Sequence, residues 1–151
     1  MKLHLAAISP QRARAKKSEL DGLLADYVER IARYYPCEVR LLPSEAALFA
    51  FAQKAAARTP MHLILLDSTG RQFTSTDFAA SIGKLRDNGA QQVLFAVGPA
   101  DGWSAEARNR AQLLLSLGAM TLPHELARVV LAEQVYRACT ILAGHPYHSG
   151  H

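Results

Sequence analysis

A chain of 151 residues, half of them hydrophobic and a fifth charged, has room for one ordinary core and is neither disordered nor fibrous in composition. Its 17 basic and 13 acidic residues leave a net charge of +4, which suits an anionic partner without specifying one. The longest apolar runs are too short to span a bilayer, the start lacks a cleavable small-residue site, and two cysteines make no disulfide framework, so a cytoplasmic protein with buried thiols at Cys37 and Cys139 is expected.

The first expected strand is KLHLAAI, residues 2–8. From Ser18 to Tyr34, Leu20, Leu23, Leu24, Tyr27, Ile31 and Tyr34 recur at helical spacing, with Asp21, Glu29 and Arg30 facing elsewhere. CEVRLL, residues 37–42, is a second strand, and Ser44 caps a helix beginning EAALFAF. MHLILLD, residues 61–67, is a third strand. Ser75 then caps a helix that Gly89 stops. QVLFAV (92–97) and AMTL (119–122) complete five strands, with a helix capped by Ser104 between them. A last helix opens at Pro123 and closes at Gly144. Strand and helix alternate, and three strands are apolar nearly throughout. The expected fold is therefore α/β, a mostly parallel sheet with helices on both faces, in a single domain over residues 1–151.

Ligands in such sheets bind outside the carboxyl ends of the strands, which directs attention to LDSTGR, VGPADGWS and TLPH. In VGPADGWS, Gly98 and Gly102 would let backbone approach a ligand, or would make a plain tight turn. The loop has neither the dinucleotide fingerprint nor the Walker spacing. The last helix has apolar residues on more than one stripe, and a subunit interface would account for the second side. Glu133 and Arg137 stand four residues apart, as a surface ion pair does. Arg128 is a cation in an apolar stretch, either solvated or anion-binding. The ending HPYHSGH, with His145, His148 and His151, has metal-like spacing but no carboxylate or Cys beside it, so no metal is expected.

Taken together, LSLGAMTLPHELARVVLAEQVYRA followed by GHPYH resembles the C-terminal signature of the RlmH family of ribosomal large-subunit methyltransferases, small stand-alone members of the SPOUT superfamily. The MKLHLAAI opening and LLDSTGRQFTSTDFA resemble the same family. The resemblance implies a SPOUT-type domain with a C-terminal trefoil knot. It implies a homodimer that uses S-adenosyl-L-methionine to methylate N3 of a pseudouridine in helix 69 of 23S rRNA, with the assembled ribosome as partner. Cofactor binding would fall to Leu66, then to Gly98, Pro99 and Gly102. The knotted loop would add Leu117, Gly118, Ala119 and Met120, followed by Thr121, Leu122 and Pro123. RNA binding would fall to Arg128, Tyr136, Arg137, Tyr147 and His148. For the chemistry, His148 is the first candidate to take the imide proton and His124 the second, with Tyr147 beside them. Both histidines could instead orient the base while water takes the proton.

Three positions depart from the family pattern. Pro99 replaces a second glycine and lacks an amide hydrogen, Gly118 stands where serine is common, and Ser149 stands where a basic residue often follows HPYH. An inactive ribosome-binding dimer and a methyltransferase for a different RNA are the rival readings.

Overall fold

The computed structural model describes residues 1–9 and 18–149. His151 of the expected tail pattern lies outside them. Five strands are present: β1 (Lys2–Ile8), β2 (Cys37–Leu42), β3 (Met61–Gln72), β4 (Gln92–Val97) and β5 (Leu113–Ser116). They form one parallel sheet in the order β2-β1-β4-β3-β5. The helices are α1 (Glu19–Ile31), α2 (Glu45–Ala56), α3 (Ser75–Asp87), α4 (Ala105–Arg110) and α5 (His124–Leu142), and a short 3-10 turn follows at Pro146–His148.

The pleat separates two cores. Leu3, Leu5, Ile64, Val93, Phe95 and Leu115 point to the side covered by α1, α3 and α5. Ala6, Leu63, Leu65, Leu94 and Ala96 point to the side where Leu48, Phe49, Trp103 and Ala107 of α2, α4 and its approach lie. Both faces of the sheet are therefore covered, which is why its strands carry apolar residues at nearly every position. Helix α5 packs between α1 and α3. Its second apolar side is thus filled within the chain, so that burial gives no reason of its own to invoke a subunit interface.

Three local expectations change. The fifth strand is LLLS at 113–116, not AMTL at 119–122; helix α4 ends after six residues, and the leucines that follow it pair with β3. LDSTGR does not end β3. The strand bulges between Leu66 and Arg71, both of which pair with Leu115, and then continues. The cap of α3 is Thr74, whose hydroxyl accepts from the Asp77 amide at 3.1 Å, while Ser75 is the first helical residue and donates to Gln134. Of the two thiols only Cys139 is buried, Cys37 being half-buried. Burial pushes both up to about 12, so neither is a nucleophile at neutral pH.

Helix α1 is fixed at its start. The Ser18 amide donates to Asp21 at 2.7 Å, the Ser18 hydroxyl reaches Glu125 of α5 at 3.4 Å, and Arg128 lies 3.7 Å from Asp21 and 3.8 Å from Glu125. Arg128 is only 6% exposed, which removes the solvated reading of it in this chain.

Candidate active site

The carboxyl ends of β4, β3 and β5 are neighbours, and a cleft of about 410 Å³ opens there. That volume suits a drug-sized or cofactor-sized ligand. Leu66, Asp67 and Ser68 of the β3 bulge form one wall, and Gly98, Pro99 and Gly102 after β4 form another. Leu117, Gly118, Met120, Thr121 and Leu122, between β5 and α5, form a third, with His124 of the first turn of α5 beside them. Met120 is 87% exposed at the rim. Ala119 and Pro123 do not line the cleft; Pro123 sits at the cap of α5.

Trp103 makes the floor. Its indole N–H donates to the Leu66 carbonyl at 2.7 Å, tying β3 to the loop after β4. A Cβ on Gly98 would lie 2.7 Å from the Trp103 ring, so this glycine makes room for the indole and not for a ligand. Gly118 has φ +136° and nothing within 4 Å of a would-be Cβ. A serine there would be strained, which explains why glycine suits this loop. Pro99 contributes its carbonyl, which accepts from the Gly102 amide at 2.9 Å and closes the turn.

Two ionisable groups in the cleft are shifted. Burial of Asp67 opposes its charge, yet the Thr69 hydroxyl and amide together with Arg108, at 2.9 Å, hold its carboxyl below the usual range. Burial lowers His124, against the pull of Glu125, and the ring also faces the backbone carbonyls of Ile8 and Gly98. The neutral imidazole is therefore its ordinary state at pH 7.

Tyr136, Arg137, Tyr147 and His148 form a second cluster. Arg137 Nε lies 2.9 Å from Glu133 Oε1, and its Nη1 lies 3.0 Å from His148 Nδ1. The Tyr147 hydroxyl donates to the same Glu133 oxygen at 3.2 Å, and its ring meets Tyr136 edge-on with centroids 4.7 Å apart. Burial and the Glu133 carboxylate push Tyr147 up to about 12, so its hydroxyl keeps its proton. The Glu133–Arg137 pair is part of a half-buried network and not the plain surface pair its spacing allowed. This cluster is not part of the cleft. Arg137 stands thirteen residues beyond His124 on one helix, about 20 Å along its axis at 1.5 Å per residue.

The family model described as Predicted SPOUT methyltransferase matches residues 1–148. The chain belongs to the SPOUT methyltransferase family. Two relatives, each named ribosomal RNA large subunit methyltransferase H, extend over most of this SPOUT chain. The one from Koribacter versatilis is 46% identical, over 91% of this chain and 94% of its own length. The one from Xanthobacter autotrophicus is 40% identical, over 98% and 99%. The solved structure of a probable methylase family protein from Haemophilus influenzae shares the fold, with a TM-score of 0.57 at 8% identity, covering 98% of this chain and 70% of that one.

In this SPOUT cleft, Asp67, Trp103 and Arg108 escaped the sequence reading. Asp67 and Arg108 are 41 residues apart, so no spacing rule joins them. The Trp, the only one in the chain, stood next to the glycine loop and was the available signal. Gly98→Ala should lower stability by about 1–3 kcal/mol, because the indole is rigid and must shift. Thermal denaturation of the variant measures this, and an unchanged Tm would mean that the ring yields freely.

Among the described residues there is no group of three His, Cys, Asp or Glu that could hold a metal ion, and no helix is long and apolar enough to cross a membrane.

Proposed function

We propose that this chain transfers the methyl group of S-adenosyl-L-methionine to N3 of a pseudouridine in helix 69 of 23S rRNA, on the assembled ribosome in the cytoplasm. It acts as a homodimer, and the segment 117–123 belongs to a C-terminal trefoil knot. The names of the relatives support the reaction and the RNA class. The observation that carries the reading is the cleft at the carboxyl ends of β3, β4 and β5.

The cleft fits the cofactor chemically. Leu66, Leu117 and Leu122 offer apolar walls to an adenine ring, and the exposed backbone of the two loops offers donors and acceptors to its edge. Gly118 leaves open space where any other residue would project a side chain. When bound, the cofactor supplies an electrophilic methyl group on a sulfonium. The chain's task is to align that group with the imide nitrogen and keep the cleft dry, since orientation carries much of the rate of an in-line displacement.

The tail supplies the base pocket in this reading. A guanidinium has no lone pair, so at 3.0 Å Arg137 donates and His148 Nδ1 accepts. The His148 proton then sits on Nε2, which favours donation to a pyrimidine carbonyl over removal of the N3 proton. Tyr147, protonated and braced by Glu133 and Tyr136, offers a ring for stacking. His124, neutral at pH 7, is left as the side chain able to accept the proton, directly or through water. About 20 Å of α5 lies between His124 and Arg137, the residue that holds His148, which is far for one nucleotide to span within a single chain. A second copy resolves this by placing its tail over the first copy's cleft.

The test uses methyl-labelled cofactor with intact ribosomes lacking the modification, against separated subunits. The labelled nucleoside is identified by mass spectrometry. Label in N3-methylpseudouridine from intact ribosomes is the expected result. Absence of label together with absence of cofactor binding would replace the enzyme with a ribosome-binding module.

A further inference from the structure

Among the described residues lining the cleft, Arg108 is the only Lys or Arg, and its guanidinium is already half committed. Nε bonds to Asp67 Oδ2 at 2.9 Å. The other Asp67 oxygen accepts from the Thr69 amide at 2.8 Å and from the Thr69 hydroxyl, and the Asp67 side chain is only 4% exposed. Asp67 therefore serves as an anchor, fixed by the β3 bulge, that aims the Arg108 side chain along the cleft wall. The Arg108 side chain is itself 43% exposed and lines the cleft.

An arginine held through Nε keeps its two terminal nitrogens, parallel and coplanar, which is the fork that matches a carboxylate with two bonds. We propose that these terminal nitrogens of Arg108 bind the α-carboxylate of S-adenosyl-L-methionine. The inference rests on the cofactor reading above and adds to it the group that recognises the amino-acid end. The ligand is a zwitterion with a sulfonium, so a cation at this wall repels its ammonium and sulfonium and accepts only its carboxylate. Arg108 thus sets the direction in which the amino-acid arm lies, and Asp67 sets the direction of Arg108.

Calorimetry on the full chain tests this with two ligands. S-adenosylhomocysteine carries the carboxylate; S-adenosyl-3-thiopropylamine keeps the adenosine, thioether and amine but lacks it. In the wild type the first should bind about tenfold more tightly than the second, a partly exposed charge-assisted pair being worth about that factor. Arg108→Gln should weaken S-adenosylhomocysteine about tenfold and leave the decarboxylated ligand unchanged, and Arg108→Lys should fall between. Equal weakening of both ligands would overturn the proposal, as it would show only that the variant disturbs the cleft. Unchanged binding of both, with weaker binding of ribosomes, would also overturn it and assign Arg108 to an RNA phosphate. No heat from either ligand with the wild type would remove the cofactor reading itself, and this inference with it.

Discussion

A one-to-one mixture of Gly118→Val and Arg137→Met protein, allowed to exchange subunits, should recover about a quarter of wild-type methyl transfer, although each variant alone should be at least about a hundredfold down. The two substitutions damage different regions. Valine at position 118 is forced into a φ of +136° and projects into the open space of the cleft, so cofactor binding is lost. Methionine at position 137 leaves the cleft intact and releases His148 and Glu133, so the base pocket loses its alignment. If one chain's tail completes the other chain's cleft, half of the dimers in the mixture are hybrids, and each hybrid has one intact site out of two. If each chain builds its own site, the hybrids are as silent as the parents. Calorimetry on the separate variants guards the interpretation, since Arg137→Met should still bind cofactor and Gly118→Val should not.

Stability should fall steeply as the pH drops below about 6.5. His4, His62 and His124 all have their pKa lowered by burial. Above the ordinary histidine range both folded and unfolded chains leave them neutral, and they do not affect the balance. Below it the unfolded chain takes up protons that the folded chain refuses, so stability is lost as the pH falls from 6.5 towards the lowered folded values. Each histidine contributes a slope of at most about 1.4 kcal/mol per pH unit, and allowing for the partial exposure of His62 and His124 the three together give about 2–3 kcal/mol per unit. Asp67 and Glu38, whose carboxyls are held low, act only in more acidic solution. His4 is the most buried of the three, 2% exposed, with Nε2 3.0 Å from Gln92. Urea midpoints between pH 5 and 8 should show this slope, and His4→Leu should flatten it by about a third. A flat wild-type profile would mean that the rings gain solvent before they gain protons.

The parallel sheet was legible because strands covered on both faces are apolar almost throughout, and because capping residues marked where the helices begin. The fifth strand was not, because LLLS follows α4 without a glycine or proline to end the helix, so helical and extended readings share the same leucines. LDSTGR reads as a loop since Asp, Ser, Thr and Gly are turn residues, yet they form a bulge that a neighbouring strand holds in place. In the cleft, the glycine loop and residues 117–122 followed from the resemblance, whereas Asp67 and Arg108 meet only through the fold. Arg128 shows the same limit. Its burial depends on Asp21, more than a hundred residues earlier in the chain.

The order of the strands sets how the molecule assembles. Leu3 of β1 pairs with Cys37 and with Val93, and Ile64 of β3 pairs with Phe95 and with Leu113, so even strands consecutive in the chain meet only across a whole crossover helix. Every ladder closes a long loop before it gains a single bond, which places this chain with slow-folding topologies of high contact order. The pairing of β1 with the central strand β4 forms only when both ends of a stretch of some ninety residues have met. The cleft asks for less: once β3 has met β4 and β5, the residues that line it have a sheet to stand on.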